Sequence, residues 1–157
     1  RRGGHPARSQ PPRAMITLLD VNVLLALADA RHQHHLPAKG LIRQVRPTGW
    51  ATCPITQNGF LRIFGRPGQS EGPGSPEGAR KFLASLLADP AHQFWPDDLS
   101  MADARFFPRL PAAKHLTDLY LLALAVKHGG RFATFDQGLD ASLVPGGPAA
   151  YHVIPAT

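Results

Sequence analysis

Ile16-Thr17-Leu18-Leu19-Asp20 is a short apolar run that ends on an aspartate, and the chain passes directly into the apolar segment Val21-Asn22-Val23-Leu24-Leu25-Ala26-Leu27. Apolar runs of four or five residues bounded by turn signals read as buried parallel strands. Open α/β sheets gather their ligands outside the carboxyl ends of such strands. Two later segments carry aspartates beside similar runs: Thr117-Asp118 opens the apolar run to Val126, and Phe132-Ala133-Thr134-Phe135 ends on Asp136. Asp20, Asp118 and Asp136 are therefore candidates for one shared site.

Working outward, strand and helix patterns alternate, with proline and glycine concentrated in the connections. The spacing predicts strands over 16–20, 50–53, 93–95, 131–135 and 151–154. It predicts helices over 21–28, 33–45, 54–64, 77–88 and 118–128, with Leu36, Leu41, Ile42 and Val45, then Ile55, Phe60, Leu61 and Phe64, then Phe82, Leu83, Leu86 and Leu87 as inward faces. Thr117 is the expected N-cap of the last helix and Gly129-Gly130 its stop, while Asp97, Asp98 or Ser100 is expected to cap a further short helix. The glycine- and proline-rich segment 65–78 reads as a mobile or functional loop. The resulting fold class is α/β, a doubly wound, mostly parallel sheet with helices on both faces.

Residues 1–14 contain four arginines, no acid and no apolar period, and are expected to be a disordered extension or cloning remnant ahead of Met15. The whole chain has 17 Lys and Arg against 11 Asp and Glu, a formal charge of +6; without those four arginines the balance is 13 against 11, or +2. The basic bias thus permits a nucleic-acid partner without requiring one. Residues 15–157, about 140 in number, suit a single domain with one core. The single cysteine, Cys53, excludes an internal disulfide framework and reads as a buried, inert thiol. The longest apolar stretch, 119–126, is far short of a bilayer span, so a cytoplasmic protein with no membrane partner is expected.

Three converging carboxylates repel one another, and a hard divalent cation, Mg²⁺ or in its place Mn²⁺, neutralises them with oxygen ligands. Such an ion lowers the pKa of a bound water and offsets charge on a phosphate oxygen, which makes phosphodiester hydrolysis the leading chemistry. No thiolate cluster, Walker lysine loop or dinucleotide glycine fingerprint competes with it. His32, His34 and His35 lack a further ligand at metal spacing and read as a solvated cluster.

Five ordered segments carry a family resemblance: Leu18-Leu19-Asp20-Val21-Asn22-Val23-Leu24-Leu25-Ala26-Leu27, Thr52-Cys53-Pro54-Ile55-Thr56-Gln57-Asn58-Gly59-Phe60-Leu61-Arg62, Pro96-Asp97-Asp98-Leu99-Ser100, Leu116-Thr117-Asp118-Leu119-Tyr120-Leu121-Leu122-Ala123-Leu124-Ala125, and Ala133-Thr134-Phe135-Asp136-Gln137-Gly138-Leu139. They resemble the PIN-domain ribonucleases, and more narrowly the VapC-type toxins of bacterial toxin-antitoxin pairs. The resemblance implies a PIN-like three-layer αβα domain over 15–157 and a Mg²⁺-dependent endoribonuclease acting on RNA. It further implies a cognate VapB-type antitoxin that neutralises the enzyme, and a homodimer. Asp20 and Asp118 would then hold the metal, Asp136 would complete the cage or orient a water, and Asn22 would orient Asp20.

One departure stands out. Most members place a glutamate on the third helix, where this chain has Gly59 or its neighbour Asn58. Glu71 and Glu77, its only glutamates, lie in or beside the long loop. A catalytically impaired PIN-like module that binds RNA or protein is the alternative this raises. Each acid also has a structural reading: Asp20 and Asp118 as helix-start residues, Asp136 as a turn former, and Asp140 as a surface residue or substitute fourth acid. Arg62 and Arg66 are candidates for phosphate contacts or plain surface cations. Phe60, Phe64, Phe106 and Phe107 are expected to supply part of an antitoxin groove. A phosphoacceptor receiver domain, a third possibility, needs paired acids after the first strand, where Asp20 is followed by Val21.

Overall fold

A computed structural model describes residues 15–69 and 71–156. The expectation of a disordered extension over 1–14 lies outside the described residues. Five short strands, β1 (Thr17–Leu19), β2 (Trp50–Thr52), β3 (His92–Phe94), β4 (Arg131–Thr134) and β5 (Tyr151–Val153), form one sheet in the order β3-β2-β1-β4-β5. Every pairing is parallel, with Leu18 opposite both Ala51 and Phe132. The chain moves outward from β1 to β3 on one side, then crosses to β4 on the other. The β1/β4 boundary is therefore the switch point at which open α/β sheets form their ligand crevice.

The helices are α1 (Val21–Ala28), α2 (His35–Val45), α3 (Pro54–Phe64), α4 (Pro76–Leu87), α5 (Leu116–Lys127) and the short α6 (Gly147–Ala150). Side chains alternate across the sheet, so adjacent strand residues enter different cores. Leu18, Ala51 and Phe132 pack with α5 and α6, while Leu19, Trp50 and Ala133 pack with α1 to α4. This gives the three layers and explains why the inner strands β1, β2 and β4 read as largely apolar runs. Every residue of α5 from Leu119 to Ala125 is buried. The sheet covers one side of it, and Leu99, Met101, Phe106 and Phe107 of the irregular segment 95–112 pack against the same core. Each leucine buried there contributes roughly 1.5–3 kcal/mol.

Several expectations are corrected. No helix follows Ser100; its hydroxyl accepts from Ala102 N in a turn, and Asp98 instead pairs with His128 and Lys127. Thr117 is not the N-cap of α5, because a 3-10 turn at Ala113–His115 runs straight into Leu116. Leu36 and Phe82 are 75% and 42% exposed, since only Ala38, Leu41, Ile42 and Val45 of α2 and Ala79 and Leu83 of α4 reach full burial. Phe60, Phe64 and Phe107 lie in the core and Phe106 packs against it, so the four do not line a groove. The loop between α3 and α4 is tied closely to both helices: a Cβ at Gly65 would come within 2.6 Å of Pro76 Cα, and one at Gly72 within 2.5 Å of the Phe64 carbonyl oxygen. Among the described residues no helix is long and apolar enough to cross a membrane.

Candidate metal centre

Asp20 follows β1 and Asp136 follows β4, the two strands at the switch point, while Asp118 sits in the first turn of α5. One carboxylate oxygen from each lies within 4.8 Å of the others. Asp20 is buried, Asp118 half-buried and Asp136 exposed, so the cluster opens outward. Among the described residues it is the only group of three or more such acidic, histidine or cysteine ligands, and no salt bridge compensates it there.

Asp20 is also the N-cap of α1. Its Oδ1 accepts from Val21 N at 2.7 Å, and its Oδ2 accepts from the Thr134 hydroxyl at 2.7 Å. Thr134 Oγ1 in turn accepts from Asn22 Nδ2 at 3.2 Å and from Asp136 N at 3.0 Å. One hydroxyl thus donates once and accepts twice, its full capacity, and ties all three polar residues together. Asn22 orients Asp20 through Thr134 rather than directly, and its Oδ1 accepts from Phe135 N at 3.4 Å. Tyr151 completes the support by donating to the Asp136 carbonyl oxygen at 2.6 Å. Thr134 and Tyr151 are contributors that sequence reasoning missed. The Thr-x-Asp spacing at the end of β4 is the local signal for the first, because a hydroxyl two residues ahead of an amide closes such turns.

Burial, and next the charge of Asp118, push the Asp20 carboxyl up to about 7 against the opposing bonds from Thr134 and Val21. Asp118 is raised as well, first by burial and then by Asp136, with His115 pulling the other way. Carboxyls that resist ionisation because they are buried and also face one another are a fitting donor set for a hard divalent cation.

Beside the cluster lies a cleft of about 520 Å³ lined by Asp20, Val21, Asn58, Gly59, Arg62 and Asp97, among others. The position of the usual glutamate is closed at Gly59, where a Cβ would meet Val21 Cγ2 at 2.6 Å. Asn58 is exposed to the cleft, whereas Gln57 is tied away from it, donating to Thr52 Oγ1 at 3.0 Å. Glu71 pairs with Arg31, Glu77 pairs with Arg80, and Asp140 caps the 3-10 turn Ala141–Leu143, so none joins the cluster. Arg66 is exposed beyond α3. His32, His34 and His35 do not join the acid group: His35 Nδ1 bonds the Ala26 carbonyl at 2.7 Å, and His34 stacks on Phe135. Cys53 is buried, and burial pushes its thiol up to about 11.

A model of the PIN domain matches residues 17–141. The chain belongs to the PIN-domain family. Ribonuclease VapC44 of Mycobacterium tuberculosis is 46% identical over 134 residues, covering 84% of this chain and 94% of the relative. Ribonuclease VapC39 of the same organism is 39% identical over 134 residues, covering 84% and 96%. These likenesses place the chain in the VapC-type branch of PIN ribonuclease toxins. The solved structure of VapBC2 from Rickettsia felis, bound to a DNA fragment from their promoter, matches with a TM-score of 0.53 at 11% identity. It covers 78% of this chain and 89% of that one, and shares the PIN fold.

Proposed function

We propose that this PIN domain, taken as residues 15–157, is the metal-dependent endoribonuclease toxin of a toxin-antitoxin pair, cutting RNA phosphodiesters. The observation that carries the reading is the convergence of three carboxylates within 4.8 Å at the switch point of the sheet. Asp20, Asp118 and Asp136 would hold the ion, Mg²⁺ or Mn²⁺. A bound ion supplies an acidified water and charge compensation at the scissile phosphate. The chain's own part is to fix the carboxylates through Thr134, Asn22 and Tyr151. Arg62, on the cleft wall, is placed to meet a phosphate on its way in. The names VapC and VapBC of its relatives support a VapB-type antitoxin as the partner.

Cleavage of a structured RNA mixture by antitoxin-free protein tests this, with Mg²⁺ or Mn²⁺, with EDTA, and with Asp118→Asn. Metal-dependent cutting lost in the variant is the expected result. Folded protein that binds RNA yet cuts under neither metal would favour the impaired binding module, a reading motivated by the absence of a carboxylate at Asn58 and Gly59.

A further inference from the structure

Next to the acid-lined cleft lies a second cavity, about 310 Å³, lined by Ile55, Leu99, Met101, Leu116, Tyr120 and the two residues Asp97 and Thr117. Ile55, Asp97 and Thr117 line both cavities, so the two form one continuous depression leading away from Asp20. Tyr120 is 5% exposed, packs its ring parallel to Phe107 at 6.3 Å, and its hydroxyl has no hydrogen-bond partner among the described residues. The polar group within reach of this hydroxyl is the Asp97 carboxylate, which acts on it without a formed hydrogen bond, so a donor and an acceptor share one corner of the depression. Burial, and next the charge of Asp97, hold the phenol in its protonated form, so it has a proton to donate. Asp97 itself is exposed at the rim, an acceptor on the opening of an otherwise apolar pocket.

We infer that this pocket receives one unpaired base of the RNA, a guanine, with Asp97 accepting from its ring and amino N–H groups and Tyr120 donating to its carbonyl oxygen. The inference rests on the RNA-cutting function proposed above. Single-stranded RNA is read by splaying bases into apolar pockets and bonding their Watson–Crick edges. Guanine presents two adjacent N–H donors beside a carbonyl on that edge, which matches a carboxylate next to a hydroxyl donor. The apolar residues supply the faces against which the ring lies, and the shared rim sets the base close to the phosphate at the acidic cluster. Asp97 thereby becomes a specificity residue rather than a metal ligand, a separation of roles that its place outside the three-carboxylate group supports.

The test is fluorescence anisotropy of the full chain in EDTA, where no cutting occurs, with labelled oligouridines carrying a single guanosine, inosine or adenosine. The same oligonucleotides are then mapped for cleavage with Mn²⁺. Guanosine is expected to bind about tenfold tighter than inosine, which lacks the amino group, a ratio of the size one good hydrogen bond gives. Asp97→Asn should abolish that preference, and Tyr120→Phe, which removes only the oxygen facing the carbonyl that guanosine shares with inosine, should weaken both alike and reduce the preference for guanosine over adenosine several-fold. Equal affinity for the three bases, or a preference for guanosine over adenosine that survives Tyr120→Phe, would overturn the pocket. Cutting without base preference removes the pocket and leaves the nuclease, whereas neither binding nor cutting by the wild type removes both.

Discussion

At the residue scale the decisive group is Asp20, which caps α1 with one oxygen and faces two other carboxylates in the same cluster. Its carboxyl titrates near the ordinary 3.8 in the unfolded chain and about 7 in the folded one, so the folded state holds the extra proton between those values. Stability without metal must then fall as pH rises from about 4 to about 7, and stay reduced above. Asp20→Asn keeps the cap but carries no charge. Its melting temperature in EDTA should gain on that of the wild type across this window, and Mg²⁺ should raise the wild type alone at pH 7. A difference that stays constant with pH would contradict the assignment. Thr134 makes a second case. Thr134→Val removes the donor to Asp20 and the acceptor for Asn22 and Asp136 N, leaving them unpaired. That should destabilise the fold by about 1–3 kcal/mol in urea titrations and weaken divalent-ion binding ~10–100-fold.

At the scale of elements, the contact of α1 with α3 explains how the site differs from the common PIN pattern. Gly59 lets Val21 pack against the helix backbone, so Gly59→Ala should cost about 1–3 kcal/mol by overpacking. Asn58→Glu, from an exposed position lining the same cleft, should instead leave stability unchanged and tighten Mn²⁺ binding several-fold by calorimetry. Equal effects of the two substitutions would mean that packing does not distinguish these positions. The strands and most helices were legible in the sequence, because burial on both faces gives β1, β2 and β4 continuous apolar runs and gives α3 a clear face. Ser100 illustrates what was not: its cap-like neighbourhood ends in a turn, because 95–112 is spent covering α5 rather than coiling on its own. The three aspartates were legible as acids bordering apolar runs, two after a strand and one at the start of a helix. Thr134 and Tyr151 were not, since their roles depend on β4 and β5 lying beside β1, a matter of strand order that local pattern does not encode.

At the scale of the molecule, the order β3-β2-β1-β4-β5 brings together acids that lie 98 and 18 residues apart along the chain, from Asp20 to Asp118 to Asp136. The parallel sheet turns the carboxyl ends of β1 and β4 toward one crevice, and the first turn of α5 supplies the third carboxylate there. The same architecture leaves the base pocket alongside, where 95–112 crosses the start of α5. Anomalous diffraction at the manganese edge from crystals soaked in Mn²⁺ decides whether the three aspartates hold a divalent ion. A peak within bonding distance of Asp20 and Asp118 oxygens, with Asp136 alongside, is expected, and so is its loss in Asp118→Asn crystals. A map with no peak in the cluster, or one held by other residues, would contradict this.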